Sequence, residues 1–204
     1  MISKKVKPKK NLEKKWGRKR KQREGKICYN YYRFFHSVFK GLKMSDHDHE
    51  KDKKSVIMSE IMTPDMVNFH GNVHGGHLLS LFDRVAYACA SRFSGKIIVT
   101  LSVDQVFFKE PIYVGELVMC YASINYVGTT SMEVGIRVVA ENLITREARH
   151  TNSCYFTMVA VDEHGKPTKV PTYTPETERD KHRYAAALER KKMRLMLNQQ
   201  LHKG

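Results

Sequence analysis

The spacing of apolar residues predicts one long helix near the middle of the chain. Between residues 77 and 93, apolar side chains recur at intervals of three and four: Leu78, Phe82, Val85, Cys89 and Phe93. Such spacing is typical of one face of an α-helix. Leu79, Ala86 and Ala90 widen the stripe. Because the helix is apolar nearly all round, we expect it to be buried on most sides.

After Gly95 the apolar period shortens to two, which is typical of β-strands. Four runs rich in Val, Ile, Thr, Tyr and Phe follow, at residues 96–109, 116–126, 130–140 and 150–161, and a shorter run at 56–62 precedes the helix. One buried helix followed by a long antiparallel meander predicts an α+β fold. In this fold residues 55–171 form a single domain whose sheet curls around the helix.

Residues 172–204 predict a C-terminal helical extension. Thr174 is a candidate N-cap, with Pro175 at the first helical position and Glu176 in the first turn. The basic segment at residues 190–194 suits the partial negative charge of a helix C-terminus. The apolar face is modest, so we expect this helix to pack on the sheet edge or on a neighbouring subunit.

Positive charge is concentrated at the start of the chain. The 204 residues include 36 Lys+Arg and 21 Asp+Glu, a net charge of +15, and residues 1–43 alone carry +14 of it. Residues 1–54 are therefore predicted to be a disordered basic and polar arm. Three interpretations of the arm stay open: a membrane-surface or RNA-contacting segment at 27–43, a tail without a dedicated role, and a true start at Met44. The nearly neutral remainder argues against nucleic-acid binding by the folded domain.

Composition excludes several classes of protein. No apolar run approaches the roughly 18 residues of a membrane-spanning helix, so no transmembrane segment is expected. The four cysteines contain no CxxC pair, which argues against a zinc ribbon or a disulfide scaffold and favours a cytoplasmic setting. His70, His74 and His77 lack a nearby cysteine or carboxylate to complete a tetrahedral set, so no metal is expected.

The strongest chemical signal is the segment 71–76, GNVHGG, which opens the predicted central helix. Paired glycines allow close approach of a ligand, and a helix N-terminus offers unpaired N–H groups and partial positive charge. A carbonyl oxygen that gains negative charge is stabilised in such a place. The alternative is that Gly75 and Gly76 form only a tight entry turn.

Asp83 is the second signal, because a carboxylate on an apolar helix is costly unless it is paired or used. The alternative to a chemical role is a structural ion pair with an arginine. Asp83 lies about 10 Å beyond Gly76 along the helix axis, so it cannot reach a carbonyl held at the start of its own helix. Two antiparallel helices related by a two-fold axis would bring Asp83 of one chain to Gly75 and Gly76 of the other.

Several motifs in order resemble the hot-dog acyl-CoA thioesterases, most closely the cytosolic acyl-CoA hydrolases. The motifs are the segment 68–76, Asp83, the segment 127–134 (VGTTSMEV), the segment 149–162 and Gly165-Lys-Pro. The resemblance implies hydrolysis of fatty acyl-CoA to a fatty acid and coenzyme A, with no cofactor beyond the substrate. It also implies a homodimer with a continuous sheet, in relatives often a trimer of dimers, and active sites at the dimer interface.

The resemblance also assigns roles to residues. In some relatives the key carboxylate lies in the loop, at the position where this chain has Asn72. In others it is an acidic residue on the helix of the partner chain, which corresponds here to Asp83. This chain, with Asn72 and Asp83, matches the second arrangement. His74, Gly75 and Gly76 are then expected to bind the thioester carbonyl. The expected coenzyme A contacts are Gly128, Thr129, Thr130, Ser131, Arg149 and Asn152. Each of these has a plain structural alternative, a hairpin turn or a solvated strand charge.

Two other functions stay open. A hot-dog dehydratase or hydratase pairs a histidine with an acid, which His74 and Asp83 could imitate. A non-catalytic RNA or membrane-surface binder would use residues 1–43. Phe107 and Val85 are candidates for the lining of an acyl tunnel, although both are also typical of an ordinary core.

Overall fold

The structure is a computed structural model and describes residues 53–201. The predictions for the basic arm fall outside these residues, except at Lys53 and Lys54. A short 3-10 turn at Pro64–Met66 follows the first strand. The remaining elements, in chain order, are β1 (Ser55–Ile61), α1 (Gly75–Ser94), β2 (Ile97–Val103), β3 (Glu116–Val127), β4 (Ser131–Asn142), β5 (Ala148–Val161) and α2 (Glu178–Leu201).

The five strands form one antiparallel sheet in the order β1-β3-β4-β5-β2. The predicted meander is correct for β3, β4 and β5 and wrong for β2. Instead of pairing with β3, β2 pairs with β5, from Ile97 opposite Val161 to Val103 opposite Phe156. Residues 104–115 carry the chain back to the other side of the sheet. As a result β1 and β2 are the two edge strands.

The central helix α1 packs on the concave face of the sheet and contacts all five strands. The predicted stripe is its buried face: Leu78, Phe82, Val85 and Cys89 are buried, and Phe93 is half-buried. Inward-facing residues of β3 and β4 complete the core: Val118, Cys120, Ala122, Ile124, Val134, Ile136 and Val138. This confirms the predicted α+β fold with a sheet curled around a long helix. Gly95, in the left-handed conformation at φ 65°, ends the helix.

One face of α1 stays open in the single chain, which the apolar pattern did not predict. Leu79, Asp83 and Tyr87 lie at intervals of four and are all exposed. The adjacent edge strand β2 is also exposed, and its apolar side chains Ile97, Val99, Leu101 and Val103 face solvent. An apolar helix face beside an apolar strand edge is therefore uncovered.

The C-terminal helix α2 begins later than predicted. Thr177, not Thr174, is its N-cap: the Asp180 N–H donates to Thr177 Oγ1 at 3.1 Å, and the Thr177 N–H donates to Asp180 Oδ2 at 3.4 Å. This reciprocal pair satisfies two backbone donors, which an isolated threonine cannot do. Neither helix within residues 53–201 combines the length and apolarity needed to cross a membrane.

Helix α2 is fastened to the outer face of the sheet by a buried carboxylate. Glu133 on β4 is 1% exposed and accepts hydrogen bonds from Arg190 at 2.6 Å and from Arg194 at 3.3 Å. The Arg190 guanidinium also lies 3.6 Å from the ring centroid of Tyr155, and Arg194 pairs with Asp104 at 2.7 Å. A buried carboxylate needs such partners to remain charged. The helix thus lies on the sheet face rather than on its edge.

Replacing Arg190 with methionine is expected to lower the free energy of unfolding by about 2 kcal/mol, because buried Glu133 loses its nearest charged donor. Lys192→Met is the matched control, since Lys192 makes only an exposed pair with Glu189, and such a pair contributes about 0.5 kcal/mol or less. Urea unfolding monitored by circular dichroism measures both. Equal losses in the two variants would mean that the Glu133 network does not hold α2.

Candidate active site

The loop before α1 is closed by the side chain of Asn68. Asn68 Oδ1 accepts hydrogen bonds from the backbone N–H groups of His70 at 2.9 Å and Asn72 at 3.3 Å, and the Asn68 N–H donates to the Asn72 carbonyl at 2.7 Å. The side-chain atom that receives both backbone N–H groups must be the amide oxygen, because nitrogen could not accept them. The Asn68 NH₂ group is therefore on the other side of the amide. The loop therefore holds two asparagine side chains beside the start of the helix.

His74 is the N-cap of α1. Its Nδ1 accepts a hydrogen bond from the Gly76 N–H at 3.0 Å. A Cβ at position 76 would lie only 3.2 Å from that nitrogen, so glycine lets the ring approach. Among the described residues, the Gly75 N–H has no hydrogen-bond partner. Of the two amides expected to bind a carbonyl, the Gly75 N–H is thus free and the Gly76 N–H is held by His74.

Asp83 lies on the exposed face of α1, two turns along from the helix start. Its Oδ1 accepts a hydrogen bond from Thr100 Oγ1 of β2 at 2.6 Å. Within residues 53–201 no arginine or other cation pairs with this carboxylate, so the alternative of a structural ion pair is not observed. The charged group instead lies on an apolar surface with one hydroxyl donor.

Two recesses adjoin α1, and they separate the predicted catalytic residues. The aspartate recess encloses about 540 Å³, and its lining includes Leu79, Asp83, Val103, Val106, Phe108 and Phe156. The loop recess encloses about 420 Å³, and its lining includes Asn68, Asn72, Gly75, Phe108, Lys109 and Glu110. Asn72 and Asp83 of one chain thus face different recesses, as the helix rise predicts. Only the Phe108 ring is common to both linings.

The aspartate recess also contains a second carboxylate, Asp104. Burial raises the pKa of Asp104 above its ordinary value, against the lowering effect of the adjacent Arg194 guanidinium. Asp104 is thus paired with a residue of helix α2, whereas no cation within residues 53–201 pairs with Asp83. The two carboxylates of this recess are therefore in different electrostatic environments.

The residues predicted to contact coenzyme A lie in two places. Gly128, Thr129, Thr130 and Ser131 form the turn between β3 and β4, where the Gly128 N–H donates to the Ser131 carbonyl at 2.7 Å. None of these four lines either recess. Asn152 is 1% exposed, and its Nδ2 donates to the Phe107 carbonyl at 2.6 Å.

Arg149 is bound within the chain. Its guanidinium donates to both carboxylate oxygens of Glu116, at 2.7 and 2.8 Å, and to the Pro111 carbonyl at 2.5 Å. Burial alone would raise the pKa of Glu116, but the bonds from Arg149 and the Tyr113 N–H hold it below its ordinary value. Arg149 and Asn152 thus fix residues 107–111, and their contact with coenzyme A stays a prediction.

No cysteine of the described chain is placed for nucleophilic attack. Cys89, Cys120 and Cys154 are all buried. Burial raises the pKa of the Cys120 and Cys154 thiols to about 12, so both stay protonated. Phe107 and Val85, the candidates for an acyl tunnel, line neither recess: Val85 is fully buried in the core, and Phe107 is exposed. The neighbour of Phe107, Phe108, lines both recesses.

Comparison with known proteins identifies the family of this chain. Residues 70–145 match the model of the thioesterase superfamily. A hexameric acyl-CoA thioesterase, solved without ligand, superposes with a TM-score of 0.70 and 36% sequence identity, over 72% of this chain and 94% of the other. The chain belongs to the thioesterase superfamily.

Two further proteins are similar to this thioesterase-superfamily chain. Protein VdlD of Helicobacter pylori is 57% identical over 143 residues, which span 70% of this chain and 82% of VdlD. An acyl-CoA hydrolase from Staphylococcus aureus, solved in complex with butyryl coenzyme A and coenzyme A, has a TM-score of 0.66 and 31% identity, over 73% of this chain and 93% of the other. These likenesses confirm the predicted hot-dog thioesterase fold.

Two polar residues of this superfamily member were absent from the predicted site. Thr100 is one of several β-branched residues in β2. No motif or regular spacing in the sequence relates it to Asp83. Asn68 had a weak signal, because an asparagine three residues before a glycine is compatible with a turn closed by the asparagine side chain. Both were recognisable only once β2 and the loop were placed against α1.

Proposed function

We propose that this protein is an acyl-CoA thioesterase that hydrolyses fatty acyl-CoA to a fatty acid and free coenzyme A. The observation that carries the proposal is the Asp83–Thr100 pair, a carboxylate with one hydroxyl donor on an apolar surface that a second copy can cover. Family membership supplies the reaction class. A cytoplasmic location stays a prediction.

The uncovered surface supports a dimer with its active sites at the interface. Leu101 is 68% exposed and Ile97 is 56% exposed on β2, whose outer edge pairs with no other strand of the described residues. Monomeric proteins avoid long apolar edges, because such edges pair with other chains. A two-fold axis beside β2 would continue the sheet into a second copy and bring two α1 helices together in opposite directions. Asp83 of one chain would then approach Gly75 of the other.

The proposed chemistry assigns complementary roles to the two chains. The Gly75 N–H and the partial positive charge of the helix N-terminus polarise the thioester carbonyl. Asp83 of the other chain either deprotonates a water molecule or attacks the carbonyl carbon to form an anhydride. In the first route hydroxide adds to the carbonyl carbon, the C–S bond breaks, and the thiolate receives the proton from Asp83. In the second route the C–S bond breaks as the anhydride forms and the thiolate leaves. Water then hydrolyses the anhydride, which releases the fatty acid, restores the Asp83 carboxylate and supplies the proton of the thiol.

An asparagine completes the site by orienting the thioester or the water. Asn72 is the residue predicted from the sequence, and its side chain lines the loop recess. A comparison adds Asn68. Structures of the Staphylococcus aureus hydrolase include alanine variants of an asparagine, of an aspartate fifteen residues later, and of a threonine seventeen residues after that. In this chain Asn68, Asp83 and Thr100 have the same spacings. We therefore assign the main orienting role to Asn68 and a lesser one to Asn72.

Coenzyme A binding and further assembly extend the proposal. We place the coenzyme A phosphates near the turn Gly128–Ser131, where backbone N–H groups and hydroxyls are available as donors. Assembly into a trimer of dimers is consistent with the similar hexameric acyl-CoA thioesterase. Both remain proposals for this chain.

Thr100→Val is expected to lower kcat about tenfold with little change in melting temperature. Valine has the shape of threonine but cannot donate the hydrogen bond that orients Asp83, and a bond to a charged group contributes about 1.5 kcal/mol or more. The matched control is Ser102→Ala, a nearby hydroxyl of β2 with no bond to Asp83. Steady-state kinetics compare the two variants. A Thr100→Val enzyme with wild-type kcat would remove Thr100 from the site.

Thiol release from a series of acyl-CoAs by the full chain tests the proposed function. We expect release of free coenzyme A with fatty acid as the second product and no change in the unsaturation of the acyl chain. Change in unsaturation without thiol release would instead indicate a hydratase. Absence of thiol release from every fatty acyl-CoA would overturn the proposal.

A further inference from the structure

We propose that the acyl chain of the substrate lies in the aspartate recess and that Phe108 is the end wall that sets the preferred chain length. This inference rests on the proposed thioesterase function and deepens it. The lining residues belong to the chain that supplies Asp83, and in the proposed dimer the second copy covers the open side of the recess.

The two recesses differ in chemistry. Three aliphatic side chains line the aspartate recess, Leu79, Val103 and Val106. The rings of Phe108 and of the buried Phe156 complete its apolar lining. Its polar members, Ser80, Asp83 and Asp104, are a minority. The loop recess also includes apolar residues, such as Leu78 and Ile112, but more than half of its lining surface is polar, with two asparagines, a lysine and a glutamate among its residues. The volume of the aspartate recess, about 540 Å³, lies in the range of small-molecule sites. An acyl chain therefore fits the aspartate recess better.

Phe108 lies at the end of this recess that is remote from Asp83. Its ring is 3.5 Å from the position a Cβ would take at Gly75, the first residue of α1. Asp83 is eight residues further along, so its backbone lies about 12 Å along the helix axis from the residue beside the ring. Leu79 and Ser80 line the recess between these two positions. Beyond the ring lies the loop recess. The Phe108 side chain is 46% exposed, so it divides two open spaces rather than filling the core.

Two hydrogen bonds from β5 hold the backbone around Phe108. Buried Asn152 binds the carbonyl of Phe107, and Arg149 binds the carbonyl of Pro111. Both anchors project from β5 and fix the backbone on either side of Phe108. These two bonds fix the backbone from which the Phe108 ring projects, and hence the position of the ring at the end of the recess.

Removal of the ring would join the two recesses. Phe108→Ala is expected to raise kcat/KM for palmitoyl-CoA relative to butyryl-CoA by about tenfold or more, because each buried methylene contributes to discrimination. Phe108→Trp is expected to change the ratio in the opposite direction. Phe107→Ala is the matched control: Phe107 is exposed and lines neither recess, and its carbonyl bond to Asn152 does not depend on the side chain.

Measurement of thiol release with acyl-CoAs from butyryl to palmitoyl, for wild type and the three variants, tests the inference. The inference is supported if the ratio of kcat/KM for palmitoyl-CoA to that for butyryl-CoA shifts in opposite directions in Phe108→Ala and Phe108→Trp and is unchanged in Phe107→Ala. An unchanged ratio in active Phe108 variants, or an equal shift in Phe107→Ala, would overturn it while leaving the thioesterase proposal intact. A wild-type protein inert toward all of these thioesters would overturn both. If Phe108→Ala fails to fold, Phe108→Leu and Phe108→Trp still decide the direction.

Discussion

Asp83→Asn is expected to lower kcat for acyl-CoA hydrolysis by about a hundredfold to ten-thousandfold, the usual contribution of a general base. Asparagine has the same shape and can still accept the Thr100 hydrogen bond, but it can neither take a proton from water nor attack the thioester. Because Asp83 is exposed on the helix surface of the single chain, the substitution should not disturb the core. Steady-state thiol release and size-exclusion chromatography together measure activity and assembly.

Asp104→Asn is the matched control, since it changes the other carboxylate of the aspartate recess. Asp104 is paired with Arg194 and, although it lines the recess, it takes no part in the proposed proton transfer or attack on the thioester. The Asp104→Asn variant should keep most of the wild-type kcat and lose some thermal stability. If Asp83→Asn kept the wild-type rate, or if Asp104→Asn lost as much, Asp83 would not be the catalytic carboxylate.

Asn68→Ala is expected to lower kcat by about a hundredfold or more, as does the removal of one oriented donor from the carbonyl-binding site of other hydrolases. The Asn68 oxygen accepts hydrogen bonds from two backbone amides, and among the described residues its NH₂ group has no partner, so that it is available to donate to the substrate or to water. Asn72→Ala should cost less, about tenfold. Kinetics of both variants, with melting temperatures to detect loss of the loop, measure the difference.

His70→Ala is the control from the same loop, because the His70 side chain is exposed and only its backbone contacts Asn68. A larger loss in Asn72→Ala than in Asn68→Ala would return the main orienting role to Asn72, the residue predicted from the sequence. A large loss in His70→Ala would mean that loop shape, rather than a particular amide, controls the rate.

The sequence predicted what depends on local periodicity. The buried stripe of α1 follows from the spacing of Leu78, Phe82 and Val85, and the strand runs follow from alternation along the chain. The position of β2 next to β5 could not be predicted in this way, because strand order depends on contacts between distant segments. For the same reason Thr100 was missed. Its bond to Asp83 joins a strand and a helix that only the folded chain brings together.

The chemistry followed a similar division. The motif at the helix start and the solitary Asp83 were visible in the sequence, and the helix rise alone separated them within one chain. The hydrogen bond from the Gly76 N–H to His74 was not visible, since it depends on the rotamer of a capping side chain. Arg149 resembled a phosphate ligand in sequence, whereas its observed partner Glu116 lies 33 residues away.

Co-expression of Asp83→Asn and Asn68→Ala chains in equal amounts tests most directly whether the two groups come from different chains. Either variant alone should be nearly inactive. In a composite site each hybrid dimer contains one site with both groups intact, so random pairing should restore about one quarter of the wild-type activity. If native mass spectrometry shows hybrid dimers and the mixture is no more active than either parent, the two groups act within one chain, and the proposed interface site is wrong.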